Sequence, residues 1–167
     1  MNALVIYESM FGNTEAVARA VAEGLSGRFE VTVADVRTAP PVEGYGLIVV
    51  GGPTHAFGMS RPGTRKDAVR QGAAGDATTG IREWLSTVAR LAGVPATAFD
   101  TRVDKPLVGS AGRKAHRMLR RLGCRMVMPA ESFFVTGTPG PLADGEQQRA
   151  RRWGQAVAAS IGALSRS

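Results

Sequence analysis

A hydroxyl-rich segment, residues 8–14 (ESMFGNT), ends where a helical pattern begins. The first turn of a helix has unpaired N–H groups and about half a positive charge, so this position suits a phosphate group. The hydroxyls of Ser9 and Thr14 add donors, and Gly12 has no side chain to keep a ligand from the backbone. The same residues also suit an ordinary helix cap, in which Asn13 or Ser9 satisfies the free amides. These residues alone therefore leave two interpretations open, a phosphate-binding loop and a capped helix.

Motifs of other nucleotide sites and of hydrolases are absent from the sequence. There is no GxxxxGK[ST] segment, no GxGxxG after the first apolar run, and no GxSxG or HExxH. Cys124 is the only cysteine, which excludes an internal disulfide, a CxxC redox pair and a cysteine-based zinc site. We expect Cys124 to be a packed thiol. We assign no catalytic residue and no metal ligand.

Apolar runs and helical spacings alternate along the chain. Strand-like segments occupy residues 3–7, 29–36, 45–50, 97–103 and 126–135. Helical spacing begins at Asn13, covers residues 81–92 and 113–122, and returns near the end at Trp153, Val157 and Ile161. Such alternation predicts an α/β fold, an open five-stranded parallel sheet with helices on both faces. Ligands bind such sheets at the carboxyl ends of the strands, so the loops after the first, third and fourth strands are the candidate site.

The length and the charge of the chain limit the classes of protein to which it can belong. The 167 residues fit a single domain spanning residues 1–167. The first apolar run is too short for a signal peptide core or a membrane span, so we expect a cytoplasmic protein that does not enter a membrane. Residues 1–60 carry three Arg against six Asp and Glu, whereas residues 61–167 carry eighteen Lys and Arg against eight Asp and Glu. The second part of the chain is therefore strongly basic.

Residues 7–15 (YESMFGNTE) resemble the signature of the flavodoxin family. In that family an aromatic strand end leads into a hydroxyl-rich loop that closes with Gly-Asn-Thr and a helix. The resemblance extends over nearly the whole chain and implies the flavodoxin-like strand order 2-1-3-4-5. It implies FMN as the cofactor, because this loop wraps the FMN phosphate in flavodoxins. The implied phosphate contacts are Ser9, Met10, Phe11, Gly12, Asn13 and Thr14.

A second loop, residues 51–58 (GGPTHAFG), follows the third strand, where flavodoxins contact the ribityl chain and one face of the flavin ring. It is also similar to loops of FMN-dependent quinone reductases and of the flavodoxin domains in flavodiiron proteins. A flat ring favours aromatic or apolar cover, which His55 or Phe57 would supply, with Thr54 as a hydrogen-bond donor. Alternatively, His55 caps the loop backbone and Phe57 fills a local core. The implied flavin contacts are Pro53, Thr54, His55, Ala56, Phe57 and Gly58.

The loop after the fourth strand departs from the flavodoxin pattern. Flavodoxins often have a glycine-rich, acidic turn and a stacked aromatic residue there, and residues 99–105 have neither. The resemblance implies backbone contacts to the pyrimidine edge of the ring from Phe99, Asp100, Thr101 and Arg102. A positive charge at Arg102 would favour the reduced, negatively charged flavin and so raise the lower reduction potential. The alternative is a solvated loop charge.

Two further segments are candidates for binding a substrate or a partner protein. Residues 59–78 show almost no apolar periodicity, so we expect a mobile loop, either a lid or binding segment or a solvated excursion. Residues 113–125 form a basic run that contains the helix predicted over residues 113–122, with Met118, Leu119 and Leu122 facing inward and the arginines outward. Its charge suits an acidic redox protein as a partner, or is simply solvated. No nucleic-acid-binding motif accompanies it, so we do not expect nucleic acid.

Three functions remain at this stage. The leading prediction is FMN-mediated electron transfer, by a carrier rather than a turnover enzyme. The alternative is an FMN-dependent NAD(P)H:quinone reductase type of enzyme, in which the long loop and His55 shape a pocket for a small-molecule quinone. The third is a basic flavodoxin-like binding module without FMN.

Overall fold

The computed structural model describes residues 1–55, 58–73 and 79–164. Within these ranges the strands are β1 (Asn2–Tyr7), β2 (Glu30–Asp35), β3 (Leu47–His55), β4 (Gly58–Met59), β5 (Pro95–Val103), β6 (Arg125–Met126) and β7 (Glu131–Val135). The α-helices are α1 (Asn13–Leu25), α2 (Pro62–Arg70), α3 (Ile81–Thr87), α4 (Ala111–Arg121) and α5 (Glu146–Leu164), and a short 3-10 helix spans Val36–Thr38. Among the described helices, none has both the length and the apolar character that crossing a bilayer requires.

The sheet has the order β2-β1-β3-β5, and β6 and β7 share the fifth position beside β5. These pairs are all parallel, and only the short β4 runs antiparallel to the end of β3 among the named strands. The predicted α/β class and the order 2-1-3-4-5 are therefore confirmed. The fifth strand is interrupted because Pro129 has no N–H to pair and the side chains of Thr97 and His116 bind the Met128 carbonyl.

The two faces of the sheet bury separate apolar clusters. Along β1, Ala3 and Val5 face the cluster under α1 and α5, whereas Leu4 and Ile6 face the cluster under α3 and α4. This alternation buries every residue of the strand after the first, which explains why β1 reads as an uninterrupted apolar run. The two helix pairs therefore lie on opposite faces of the sheet.

The segment predicted as an irregular loop contains helix α2, so that prediction was wrong for residues 62–70. Pro62 stands at the first helical turn, and Thr64 makes reciprocal capping contacts with the backbone of Arg61. The residue buried most deeply by α2 is Arg65, with no exposed surface. An apolar pattern could not reveal this helix, because its principal buried side chain is charged. Residues 74–78 of the predicted loop lie outside the described residues.

Two other elements differ in length from their predictions. Helix α3 ends at Thr87, since Val88 is extended and the Ser86 and Thr87 hydroxyls bind carbonyls of the last turn. Strand β3 continues past Val50 to His55, paired with β5 as far as Pro53. The continuation is possible because Gly51 has no side chain where the Phe99 ring crosses the strand. The longer strand carries its last residues to the edge of the sheet where ligands bind.

Candidate functional site

A cleft of about 280 Å³ lies at the carboxyl ends of β1, β3, β5 and β7. The predicted site residues that line it are Ser9, Met10, Phe11, Asn13, Thr14, Pro53, Thr54, His55, Thr101 and Arg102. All three predicted loops therefore contribute to one cleft. Its position agrees with the rule that parallel α/β sheets bind ligands beyond the carboxyl ends of their strands.

The first wall of the cleft is the start of α1. Gly12 precedes the helix with a φ of 89°, a left-handed conformation that glycine adopts without strain, and its N–H donates to Ser9 Oγ at 3.0 Å. No side chain caps the first helical turn. Within the described residues, the N–H groups of Asn13, Thr14 and Glu15 have no acceptor. These open amides fit a phosphate group rather than a side-chain-capped helix.

Thr14 links this wall to the end of β5. Its hydroxyl lies 2.8 Å from the hydroxyl of Thr101, and both residues are buried. Each hydroxyl has one hydrogen and two lone pairs, so the bond between Thr14 and Thr101 uses one of their two hydroxyl hydrogens and leaves the second free to be donated. One of the two hydroxyls therefore remains a donor at the cleft.

The second wall is the end of β3, where Thr54 contacts the start of α4. Thr54 Oγ1 accepts a hydrogen bond of 3.0 Å from the N–H of Ala111. The hydroxyl hydrogen of Thr54 is thus directed elsewhere and can be donated to a ligand. This contact also fixes the first turn of α4 against the cleft.

His55 lies at the junction of the cleft and α2. Its Nδ1 is 3.1 Å from the Oγ1 of Thr64, whose own hydrogen is donated to the carbonyl of Arg61. The His55 ring therefore donates its Nδ1–H to Thr64 Oγ1, and its Nε2 remains a hydrogen-bond acceptor. Burial, with a smaller contribution from the charge of Arg65, lowers the pKa of His55. The ring is consequently neutral at neutral pH.

The third wall uses only the last residues of β5. Arg102 lines the cleft, donates to the Gly109 carbonyl at 3.3 Å and lies with its guanidinium 5.6 Å from the centroid of the Phe134 ring. Its Nε is buried and has no partner within the described residues. Arg102 is therefore a fixed charge in the wall and not a freely solvated one.

Phe99 and Asp100 lie deeper in β5 and do not line the cleft. The Phe99 ring packs edge-on against Phe133 and Trp153, with both centroids 6.1 Å away. The buried carboxylate of Asp100 accepts hydrogen bonds from the Ser110 hydroxyl and from the N–H of Gly112. Because the cleft starts at the strand end, these two earlier residues instead support the core and the start of α4.

Of the four remaining predicted residues, the structure describes Gly12 and Gly58. Gly12 shapes the turn before α1 without lining the cleft. Gly58 is buried in β4, and a Cβ there would overlap the Lys114 side chain, 2.4 Å from its Nζ. Ala56 and Phe57 lie outside the described residues. The predicted aromatic cover from Phe57 thus stays a prediction.

Four residues that line the cleft were not predicted from the sequence: Val103, Val108, Val135 and Thr138. Val103 and Val135 end two adjacent strands, so the rule of carboxyl strand ends was a usable signal for them. Val108 and Thr138 lie in loops without a recognisable motif. They make this part of the cleft more apolar than the sequence of residues 99–105 indicates.

A buried polar cluster behind the first wall anchors helices α2 and α3. The Glu8 carboxylate accepts from the Ser60 hydroxyl and from the N–H of Ile81 at 2.8 Å. Arg65 donates to Ser60 Oγ at 2.8 Å and to the carboxylate of Glu83. Burial raises the pKa of Glu8, while these hydrogen bonds and Arg65 oppose the rise. The cluster holds α2 and α3 beside the cleft.

Comparison with known proteins agrees with this geometry. The flavodoxin family model matches residues 5–74, which include the first two cleft loops. A flavodoxin from the domain Archaea has the same fold, with a TM-score of 0.70 and 21% identity over 97% of this chain and 99% of its own. The fold of the chain is flavodoxin-like, and residues 5–74 match the flavodoxin family in sequence.

Other flavodoxin-like structures match over similar lengths. Flavodoxin 1 from Bacillus cereus has a TM-score of 0.68 and 20% identity, over 95% of this chain and 98% of its own. A flavodoxin, WrbA-like protein from Agrobacterium tumefaciens has a TM-score of 0.60 and 17% identity, over 95% of each chain. No curated protein sequence matches the chain. The described residues contain no group of three or more His, Cys, Asp and Glu suited to a metal ion.

Proposed function

We propose that this flavodoxin-like protein binds FMN in the cleft and transfers electrons through it. The observation that carries the proposal is the first turn of α1, whose open amides at Asn13, Thr14 and Glu15 stand at the cleft without a side-chain cap. A phosphate is the group that such a helix start binds best. The match of the flavodoxin family model over this loop supports the same cofactor.

The chain would supply binding, orientation and exclusion of water, and FMN when bound supplies one- and two-electron redox chemistry. The amides of α1 and the hydroxyls of Ser9 and the Thr14 and Thr101 pair would hold the phosphate. Thr54 and the neutral ring of His55 would offer one donor and one acceptor to the flavin. The apolar wall residues are Met10, Phe11, Pro53, Val103, Val108 and Val135, and they would keep water from the ring.

Arg102 would act on the reduction potential. Its charge is fixed in the cleft wall and would stabilise the negative charge that reduction adds to the flavin. The Arg102→Ala variant should therefore have a lower value for the lower of the two midpoint potentials. Arg152→Ala, an exposed change on α5, is the control that should leave both potentials unchanged. Equal potentials in all three proteins would refute this role.

A quinone reductase type of enzyme is the second candidate, and one observation favours it. The anchored helix α2 contacts the cleft wall through the His55 and Thr64 pair, which gives the cleft a rigid border on that side. Such a border would orient a small-molecule substrate over the flavin. A pure carrier does not need it.

Two assays test the proposal in sequence. The protein is incubated with FMN, separated from excess cofactor and examined by visible absorption. We expect flavin bands at about one FMN per chain, and a colourless protein would contradict FMN binding. Steady-state oxidation of NADH and NADPH with a benzoquinone then separates the candidates. Negligible turnover supports the carrier, whereas sustained turnover that Thr64→Val reduces supports the reductase.

A further inference from the structure

Helix α4 and the loop before it form a positively charged edge beside the cleft. Residues 111–125 contain six Lys and Arg and no Asp or Glu. Arg113 and Arg117 are exposed on α4, and Lys105 is exposed in the preceding loop. We call Lys105, Leu107, Arg113 and Arg117 the α4 border.

The charges of the α4 border are not used within the protein. Among the described residues, ion pairs involve arginines 19, 37, 65, 70 and 149, and none includes Lys105, Arg113 or Arg117. The nearest acidic residue in sequence is the exposed Asp104. A group of like charges without internal partners is available to an external, negatively charged surface.

The α4 border is attached to the cleft wall through the first turn of α4. Ser110 caps α4 by accepting from the N–H of Arg113 at 3.1 Å, and its own hydroxyl binds Asp100. The next residue, Ala111, donates to Thr54 in the cleft wall. The first turn of α4, with Arg113, is therefore fixed directly to the wall of the proposed flavin site.

Leu107 adds an apolar contact within this charged edge. It is 88% exposed, and its neighbour Val108 lines the cleft. Its φ of 62° is the only positive φ of a non-glycine residue in the described part of the chain. Side chains are disfavoured in this conformation, so the fold holds a leucine out into solvent at the cleft edge against its local preference. An apolar point inside a charged rim is the composition of a protein interface.

We propose that the α4 border docks an acidic redox protein, which exchanges electrons with the flavin of the cleft. This inference rests on the proposed function. In each encounter one electron passes between the bound flavin and the redox centre of the partner, so that one is oxidised as the other is reduced. The partner presents carboxylates to Lys105, Arg113 and Arg117 and an apolar spot to Leu107. Opposite charge accelerates the encounter and makes its rate sensitive to salt.

The test uses a plant-type [2Fe–2S] ferredoxin, an acidic protein of low potential, as the probe. Reduced ferredoxin is mixed with the oxidised, FMN-loaded protein in a stopped-flow instrument at low and at high ionic strength. At low ionic strength, Arg113→Glu/Arg117→Glu should reduce the bimolecular rate constant about 10-fold or more, with the difference shrinking at high ionic strength. Leu107→Ala should slow transfer at both ionic strengths.

The matched control is Arg151→Glu/Arg152→Glu, which makes the same change in net charge on α5, the helix on the opposite face of the sheet. We expect this control to retain nearly the parent rate. The spectrum and midpoint potentials of the bound FMN should be the same in every variant, so that any rate difference reflects docking. Equal slowing by both charge reversals would show that only the net charge matters and would refute the α4 border as the docking site.

The remaining outcomes separate the two proposals. If the parent protein binds no FMN, the proposed function fails and the docking inference fails with it. If FMN binds but the α4 reversal leaves the rate unchanged, the function stands and the docking site is refuted. Tighter binding of a single-stranded DNA 20-mer than of ferredoxin, abolished by the same reversal, would assign the border to nucleic acid instead.

Discussion

The hydroxyls of Thr14 and Thr101 lie 2.8 Å apart in the interior, 87 residues distant in sequence. One residue belongs to the first turn of α1 and the other to the end of β5, so their bond joins two walls of the cleft. The open amides of α1 are thereby held in a fixed position relative to the third wall. Positioning of this kind reduces the ordering cost that a ligand would otherwise meet.

Thr101→Val should reduce the free energy of unfolding by about 1–3 kcal/mol, because it leaves the buried Thr14 hydroxyl without its partner. The double variant Thr14→Val/Thr101→Val should cost less than the sum of the two single changes, since both polar groups are then replaced by apolar ones of similar shape. Urea denaturation of the four proteins measures this cycle. Strict additivity would show that the hydroxyls do not interact.

Gly12→Ala should reduce the free energy of unfolding by about 1–2 kcal/mol, because a side chain is strained at a φ of 89°. The space around the position is open, so the cost comes from the backbone conformation and not from a clash. Gly27→Ala is the matched control, since that glycine also has open space but no positive φ. The same denaturation experiment compares them, and equal effects at both positions would contradict the account.

Arg65→Met should reduce the free energy of unfolding by about 3–5 kcal/mol, because it leaves the partly buried Glu83 without its cation inside the polar cluster. Arg70→Met on the same helix removes an exposed ion pair with Asp67 and should cost less than about 1 kcal/mol. Thermal unfolding monitored by circular dichroism measures both. If the two losses are similar, Arg65 does not anchor α2.

His55 should titrate below its ordinary pKa of 6.5, because burial and the charge of Arg65 disfavour the protonated ring. The unfolded chain takes up this proton at higher pH than the folded one, so protonation of His55 lowers the free energy of unfolding progressively as the pH falls below about 6.5. NMR of the ring protons gives the pKa directly. Burial also lowers the pKa of His116. The His55→Gln variant is therefore needed to assign the two sets of ring signals. A His55 pKa above 6.5 would contradict this environment.

Sequence patterns predicted the sheet well because β1 and the start of β3 are buried on both faces and read as continuous apolar runs. The cleft loops were predicted because strand ends and a helix start have local signatures. Helix α2 was missed because its buried residue is Arg65, whose burial depends on Glu83, 18 residues further along the chain, as well as on the nearby Ser60. Val108 was missed because nothing local distinguishes a loop valine that lines a cleft from one that does not.

The most direct test of the phosphate-binding helix start compares FMN with riboflavin, which has the same ring and ribityl chain but no phosphate. Both are titrated into the cofactor-free protein, and dissociation constants are obtained from flavin fluorescence. We predict that FMN binds about 100-fold or more tightly than riboflavin, since two charge-assisted hydrogen bonds from the α1 amides account for a factor of that size. Equal affinities for FMN and riboflavin would show that the start of α1 holds no phosphate and would contradict the central claim.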